Sequence, residues 1–216
     1  MTRPALLLDI GGVVLRSAHE AMADLAGRRP ELADFAARRG RLGPEPDVAW
    51  EATLAGVATE RGYWAGRAQE AAAVVGGVGD VPSLMELLYG GDEDWRPEAV
   101  ALMDEAVAAG STVAALTNDL AAFHGDADLT RHHVLARFDL IVDGSVTGVL
   151  KPDPRAYAIA LERLGRPAGE VVFVDDMPVN AAGGRAVGMR VVEVDLTRPE
   201  VAFARARELL KLGRSG

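Results

Sequence analysis

Residues 5–14 read Ala-Leu-Leu-Leu-Asp-Ile-Gly-Gly-Val-Val, and this stretch decides the fold that we expect. Its first half is a short apolar run, which suits a strand buried on both faces of a parallel sheet. The run ends at one acid, Asp9, and the two glycines that follow let the backbone turn sharply and approach a ligand. Open α/β sheets bind ligands at the carboxyl ends of their strands. Asp9 is therefore either a functional carboxylate or the cap of a following helix.

The composition is that of one large domain, or of a domain with a substantial insertion. The chain has 216 residues, 49% of them apolar, and no cysteine, which excludes disulfides and cysteine nucleophiles and suits a reducing compartment. The N-terminal apolar run is too short for a signal peptide or a membrane span, so we expect a cytoplasmic protein. The net charge of −9 argues against nucleic acid and membranes as partners and leaves a small molecule.

Residues 16–94 differ in character from the stretch before them. They are rich in Ala, Arg, Glu and Gly and show no strand pattern. Helical patterns are predicted over 47–55, 59–75 and 83–89. We therefore expect a helical cap domain at 16–94, inserted into an α/β core domain made of residues 1–15 and 95–216.

Strand and helix patterns alternate after residue 95. Strands are predicted at 112–116, 138–142, 171–174 and 190–194, and helices at 97–109, 154–164 and 178–187. In the first of these helices Val100, Met103 and Val107 share the predicted buried face. The alternation predicts an α/β fold with a Rossmann-like three-layer core, in which a mainly parallel sheet carries helices on both faces.

Polar residues follow four of the predicted strands, and in a parallel sheet these positions share one edge. They are Asp9, Thr117 with Asn118, Lys151, and the pair Asp175 and Asp176. A carboxylate can attack phosphorus, other carboxylates can hold a divalent cation, and a hydroxyl, amides and an ammonium can bind phosphate oxygens. The set therefore suits phosphoryl transfer. The simpler alternatives are an exposed lysine at 151 and a helix-capping loop at 175–176.

These segments resemble the haloacid dehalogenase-like hydrolase superfamily, in the subgroup that carries a helical cap after the first motif. The resemblance covers essentially the whole chain. It rests on Asp-Ile-Gly-Gly-Val at 9–13, Leu-Thr-Asn at 116–118, Gly-Val-Leu-Lys-Pro-Asp-Pro at 148–154, and Val-Asp-Asp at 174–176 with Asn180 and Gly188.

The resemblance implies a magnesium site. Asp9 would be both the nucleophile and a ligand of Mg²⁺, together with the backbone carbonyl of Gly11. Asp176 would bind the metal directly, whereas Asp175 would act through water or pair with Lys151.

The resemblance also implies how the substrate is bound. Thr117 and the amide of Asn118 would bind phosphate, and Lys151 would neutralise it, so that Asp9, Thr117 and Lys151 form the catalytic set. Asp119 and His124 follow the second motif and could face the same site. Trp50, Tyr63 and Trp64 either line the cap side of the pocket or pack the core of the cap.

Gly11 departs from the pattern of the family's phosphatases, which usually carry a second acid two residues after the nucleophile. That acid protonates the leaving group and then activates water. We expect a Mg²⁺-dependent phosphatase of a small phosphorylated metabolite, acting through an aspartyl-phosphate on Asp9. Two alternatives stay open. One is a metal-independent dehalogenase of a halogenated metabolite, for which Arg16 or Arg41 would supply the usual arginine; the other is a non-catalytic binding or regulatory protein.

Overall fold

The structure, a computed structural model, describes residues 3–125 and 133–212 and contains one five-stranded parallel sheet. The strands are β1 (Ala5–Leu8), β2 (Val113–Thr117), β3 (Leu140–Asp143), β4 (Val171–Asp175) and β5 (Arg190–Glu193). Their order across the sheet is β3-β2-β1-β4-β5, and all neighbours are parallel. β1 lies at the centre, with Leu8 opposite both Ala115 and Val174. The predicted Rossmann-like α/β core is confirmed.

Helices connect the strands and cover the sheet. They are α1 (Ala18–Arg28), α2 (Ala33–Ala37), α3 (Val48–Leu54), α4 (Glu60–Ala72), α5 (Val81–Leu88), α6 (Pro97–Ala108), α7 (Leu120–His124), α8 (Gly144–Thr147), α9 (Pro154–Leu164), α10 (Pro178–Ala186) and α11 (Pro199–Leu210). None of these described helices combines the length and apolar character needed to cross a membrane.

The sheet is the middle layer of three. On one face Leu6 and Leu8 of β1 belong to a cluster with Leu102 of α6 and Phe203 of α11. On the other face Leu7 belongs to a cluster with Tyr157 of α9. Both faces of β1 are therefore buried, which explains why its sequence is a continuous apolar run rather than an alternation.

The buried face of α6 differs from the prediction. Met103 is buried as expected, but Val107 is 51% exposed. The helix instead presents Ala99, Leu102 and Ala106 to the core. The small alanine side chains let the helix axis approach the sheet, which a search for large apolar residues at helical spacing does not reveal.

Residues 16–94, here called the helical segment, contain α1–α5 and their own apolar cluster. The chain leaves the core and returns to it at one place, where Leu15 forms a bridge with Trp95. Two backbone hydrogen bonds of 2.8 Å fix this crossing, from the amide of Arg16 to Asp94 and from the amide of Arg96 to Val14. The crossing lies at the boundaries that we propose for a cap domain.

Candidate active site

The carboxyl edge of the sheet brings Asp9, Lys151 and Asp175 into direct contact. Asp9 follows β1 and Asp175 ends β4, while Lys151 lies in the loop before α9. The Lys151 Nζ atom is 2.9 Å from Asp9 Oδ2 and 2.7 Å from Asp175 Oδ2. The side chain of Lys151 is only 1% exposed, so this is not the surface lysine of the simpler alternative. Three of the predicted site residues thus share one buried ion-pair network.

The charges in this network depend on each other. Burial disfavours the ammonium, but the carboxylates of Asp175 and Asp9 outweigh it and raise the pKa of Lys151. Burial raises the pKa of Asp175, while Lys151 opposes that rise. Asp175 Oδ1 also accepts hydrogen bonds from the Met177 amide at 2.8 Å and from Asn180 Nδ2 at 3.3 Å. Both oxygens of Asp175 are therefore engaged, and this residue holds Lys151 in position.

Asn118 fixes the loop that carries the lysine. Its Oδ1 accepts a hydrogen bond from the Lys151 amide at 2.7 Å, and its Nδ2 donates to the Lys151 carbonyl at 3.1 Å. Thr117, the last residue of β2, is buried and lines the same cavity as Asp9. The side chain of Asn118 thus holds the loop that carries Lys151.

Three acids meet at the edge of the sheet. Asp9, Asp175 and Asp176 each offer a carboxylate oxygen within 4.8 Å of the others. Burial and the charges of Asp175 and Asp9 raise the pKa of Asp176 well above its usual value. Lys151 supplies one positive charge for three carboxyl groups, so a hard divalent cation would be needed to stabilise all three in their ionised forms. The oxygen-only donor set of the three acids fits Mg²⁺. Asp9 Oδ1 also accepts a hydrogen bond from the Ile10 amide at 2.7 Å.

The two glycines after Asp9 differ in what they tolerate. Gly12 has φ of 76°, and a Cβ at this position would overlap the carboxylate of Asp176. Glycine is therefore required at Gly12 by both backbone conformation and space. A Cβ at Gly11, in contrast, would have no atom within 4 Å. Sterics do not account for the absence of a side chain at Gly11.

A cavity of about 90 Å³ opens directly above Asp9. The helical segment contributes His19, Trp50, Glu60 and Trp64 to its wall, and the sheet edge contributes Thr117 and Asp176. Asp119, Phe123 and His124 close it on a third side. Asp119 and His124 therefore face the site, and Trp50 and Trp64 line it, whereas Tyr63 packs behind them.

His19 is a wall residue that the sequence did not single out for function. Tyr63 donates its hydroxyl proton to Asp47 Oδ2 at 2.6 Å and lies 2.9 Å from His19 Nε2. Because the tyrosine proton is used by Asp47, His19 Nε2 carries a proton and donates to the tyrosine oxygen. Burial lowers the pKa of His19 to about 3, so the ring is neutral at physiological pH. Its Nδ1 is left as an acceptor.

Glu60, the first residue of α4, was also missed. Its Oε1 accepts a hydrogen bond from Trp64 Nε1 at 3.2 Å. Burial raises the pKa of Glu60 to about 7, and the charges of Asp9 and Asp119 act in the same direction. An acid in the first turn of a helix is common and carries no functional signal in a single sequence.

The arginines considered for a dehalogenase do not reach Asp9. Arg16 Nη1 pairs with Asp24 Oδ2 at 2.8 Å, and Arg41 pairs with Glu51 at 3.1 Å. Arg41 lines a neighbouring cavity rather than the one at Asp9. Within residues 3–125 and 133–212, no arginine or lysine contributes to the wall of the cavity above Asp9.

Known proteins related by sequence include both a phosphatase and a dehalogenase. The chain is 31% identical over 112 residues to a phosphatase of Mycobacterium tuberculosis, and the match covers 52% of each protein. It is 27% identical over 213 residues to (S)-2-haloacid dehalogenase 1 of Pseudomonas sp. (strain CBS-3), which covers 94% of this chain and 87% of that one. The chain thus spans only about half the length of the phosphatase.

The fold is similarly shared with solved structures. A crystal structure of a dehalogenase superposes with a TM-score of 0.62 at 22% identity, covering 89% of this chain and 85% of the other. At this identity the likeness concerns the fold. The model of one hydrolase family matches residues 4–188, which is most of the chain. On the strength of this match and of the parallel sheet with its acidic edge, the chain belongs to the haloacid dehalogenase-like hydrolase family.

Proposed function

We propose that this protein is a Mg²⁺-dependent phosphatase that hydrolyses a small phosphorylated metabolite through an aspartyl-phosphate on Asp9. The observation that carries the proposal is the ammonium of Lys151 held between Asp9 and Asp175, at 2.9 and 2.7 Å, beside the third acid Asp176. Mg²⁺ bound by Asp9, Asp176 and the Gly11 carbonyl would offset the repulsion between a carboxylate nucleophile and a phosphate.

Each residue of the set has a task in this proposal. Asp9 attacks phosphorus with a carboxylate oxygen and becomes the aspartyl-phosphate. Lys151 has three N–H donors, of which Asp9 and Asp175 take two, so one is left for a phosphate oxygen. The hydroxyl of Thr117 and the amide of Asn118 supply further donors. Asp175 keeps the ammonium aimed at the phosphate.

Residues 16–94 serve as the cap in this proposal. His19, Trp50 and Glu60 of this segment close the cavity above Asp9. The mixed apolar and polar groups of this wall select the leaving group, and the wall limits access of water. The substrate specificity therefore resides in the helical segment rather than in the sheet edge.

A metal-independent dehalogenase is the second candidate, because the dehalogenase relative matches 94% of this chain. The charge of the cavity favours the phosphatase. A 2-haloacid carries a carboxylate, and the wall presents the acids Glu60, Asp119 and Asp176 but no cationic side chain among the described residues. A phosphate would meet the same acidic wall, but the Mg²⁺ proposed at Asp9 and Asp176 would offset this charge.

The test measures release of phosphate and of halide by the same preparation. Aryl phosphates, alkyl phosphates and 2-haloacids are offered with Mg²⁺ or with EDTA, to the wild type, to Asp9→Asn and to Asp104→Asn, whose acid lies on the outer surface of α6. We expect phosphate release that needs Mg²⁺ and Asp9 and is unaffected by Asp104→Asn. Halide release that persists in EDTA would favour the dehalogenase, and binding of phosphate without any turnover would favour a non-catalytic protein.

A further inference from the structure

The cavity poses a chemical problem for an alkyl phosphate. The departing oxygen leaves as a strongly basic alkoxide unless a neighbouring acid protonates it. General acid catalysis of this kind is typically worth roughly 10²–10⁴-fold in rate. Gly11, next to the nucleophile, has no side chain, although the space around it is open. An acid for the leaving group must therefore come from another wall of the cavity.

Glu60 lies on the part of the cavity wall that the helical segment contributes. It lies on the helical segment and lines the same cavity as Asp9 and Gly11. Its Oε1 is held by the indole of Trp64, while its Oε2 makes no hydrogen bond to any described residue. Trp64 is itself buried and packed against Tyr63, with ring centroids 4.9 Å apart. One carboxyl oxygen is thus anchored by a rigid donor, and the other is left for a ligand.

We propose that Glu60 is the general acid and base of this site and replaces the side chain that Gly11 lacks. The inference rests on the phosphatase activity proposed above. In the first step an Asp9 oxygen bonds to phosphorus, the bond from phosphorus to the leaving oxygen breaks, and that oxygen takes the proton of Glu60. In the second step water gives a proton to Glu60 and bonds to phosphorus, and the bond from phosphorus to Asp9 breaks. Inorganic phosphate leaves, and both carboxyl groups return to their initial states.

The surroundings of Glu60 suit both steps. Burial raises its pKa to about 7, the charges of Asp9 and Asp119 add to this rise, and Lys151 opposes it. A group with a pKa near the working pH can both donate and accept a proton. The titratable and charged groups that face Glu60 across the cavity or act on it electrostatically are Asp9, His19, Tyr89, Asp119, His124, Lys151 and Asp176.

Asp119 is the competing acid on the same cavity. Its Oδ1 accepts a hydrogen bond from Arg61 Nε at 2.7 Å. Burial raises the pKa of Asp119, but the guanidinium of Arg61 favours the carboxylate form. Asp119 is thus held in a salt bridge to α4, whereas Glu60 has no cationic partner in direct contact among the described residues. Matched amide variants of Glu60 and Asp119 can distinguish which of the two carboxyl groups transfers the proton.

The experiment compares Glu60→Gln with Asp119→Asn and with Glu86→Gln, whose acid is exposed on α5 and away from the cavity. The glutamine keeps an oxygen for the Trp64 indole, so thermal unfolding should be unchanged. Using Mg²⁺ and phosphates of graded leaving-group pKa, we expect Glu60→Gln to lower kcat on alkyl phosphates roughly 10²–10⁴-fold. On aryl phosphates we expect an unchanged first turnover followed by slow release of phosphate, since water is no longer activated. The limb of the pH–rate profile near neutrality should vanish in this variant only.

Rescue provides the second readout. Gly11→Asp places a carboxyl group in the open space beside Asp9, and in the Glu60→Gln background it should restore hydrolysis of alkyl phosphates. Unchanged leaving-group dependence and pH profile in Glu60→Gln, with activity that still requires Mg²⁺ and Asp9, would overturn the role of Glu60 alone. The same would follow if Asp119→Asn produced the effects instead. A wild type whose phosphate release is indifferent to Asp9→Asn would overturn both proposals.

Discussion

Replacing Lys151 with methionine should destabilise the protein more than any other single charge removal at the sheet edge. The substitution keeps the length of the side chain and removes its ammonium. Asp9 and Asp175 would then face each other without the cation that now lies 2.9 and 2.7 Å from them. Because Asp175 is fully buried, water cannot replace the lost partner.

The size of the effect follows from the contacts. At an effective dielectric constant of about 20, each contact is worth about 6 kcal/mol of Coulomb attraction, against a desolvation cost of several kcal/mol for the buried ammonium. Removing one partner of a buried ion pair costs about 3–5 kcal/mol in net free energy of unfolding. The total free energy of unfolding of such a domain is about 5–15 kcal/mol. Lys151→Met should therefore lose a large part of its stability.

The assay is urea-induced unfolding of the wild type, Lys151→Met and Lys211→Met. Lys211 is the other lysine of the chain. Because Lys211 is exposed, its methionine variant controls for the change of side chain alone. The free energy of unfolding of Lys211→Met should stay within about 0.5 kcal/mol of the wild type.

The pH dependence gives a second check. The carboxylates raise the pKa of Lys151, so its contribution is complete below the unfolded value of about 10.4 and is lost only as the pH rises through the higher folded value. Between pH 5 and pH 8 Lys151 therefore stays charged in the wild type. In Lys151→Met the carboxyl group of Asp175, whose pKa burial raises, takes up a proton as the pH falls. The loss in free energy of unfolding of Lys151→Met relative to the wild type should therefore become smaller from pH 8 to pH 5. A loss at pH 8 no larger than that of Lys211→Met would refute the reasoning.

Three further predictions concern the residues around this network. Gly12→Ala should lower the free energy of unfolding by at least about 1–3 kcal/mol and abolish stabilisation by Mg²⁺, because a side chain there strains the backbone and overlaps Asp176. Gly11→Ala should unfold like the wild type, because a Cβ at that position has no atom within 4 Å. Asp176→Asn should lose the Mg²⁺-dependent rise in Tm that Asp104→Asn retains, as differential scanning fluorimetry would show. His19 has its pKa lowered to about 3 by burial, so below about pH 6.5 the unfolded chain binds a proton that the native protein does not, and native stability falls by about 1.4 kcal/mol per pH unit. The stability of His19→Gln should therefore fall less steeply with falling pH than that of the wild type. Acid-unfolding curves with the same pH dependence in variant and wild type would contradict this prediction.

The sheet and its acidic edge could be predicted because their signals are local. The apolar run before Asp9 indicates a doubly buried strand, and Asp153 with Pro154 marks a helix start that the structure confirms, with Asp153 Oδ1 accepting from the Arg155 amide. Parallel topology then brings the strand ends together without any knowledge of side-chain packing. The contacts of Lys151 with two carboxylates follow from this topology.

Two of the longer helices, α1 and α11, were not predicted although the sequence carries signals for them. α1 begins with a capping box in which Ser17 and Glu20 hydrogen-bond to each other's backbone amides. α11 has a proline at its first position and buries Phe203 and Leu210 at helical spacing. Both helices contain several alanines, so their apolar stripes are narrow.

The places of His19 and Glu60 in the cavity wall could not be predicted, because they depend on contacts between distant parts of the chain. His19 and Tyr63 are 44 residues apart, and only the folding of the helical segment joins them. Glu60 reaches the cavity above Asp9 by the same route. The sequence predicted which polar residues meet at the strand ends, because topology fixes their positions. It left open the groups that tertiary packing brings above them.

The most direct test is to look for the aspartyl-phosphate. The protein is mixed with Mg²⁺ and an aryl phosphate and quenched in acid within the first turnover, and the peptide that contains Asp9 is examined by mass spectrometry. We expect a phosphate adduct on Asp9 that disappears as inorganic phosphate is released, persists longer in Glu60→Gln, and is absent in Asp9→Asn. Steady release of phosphate without an adduct, or an adduct on another residue, would contradict Asp9 as the nucleophile.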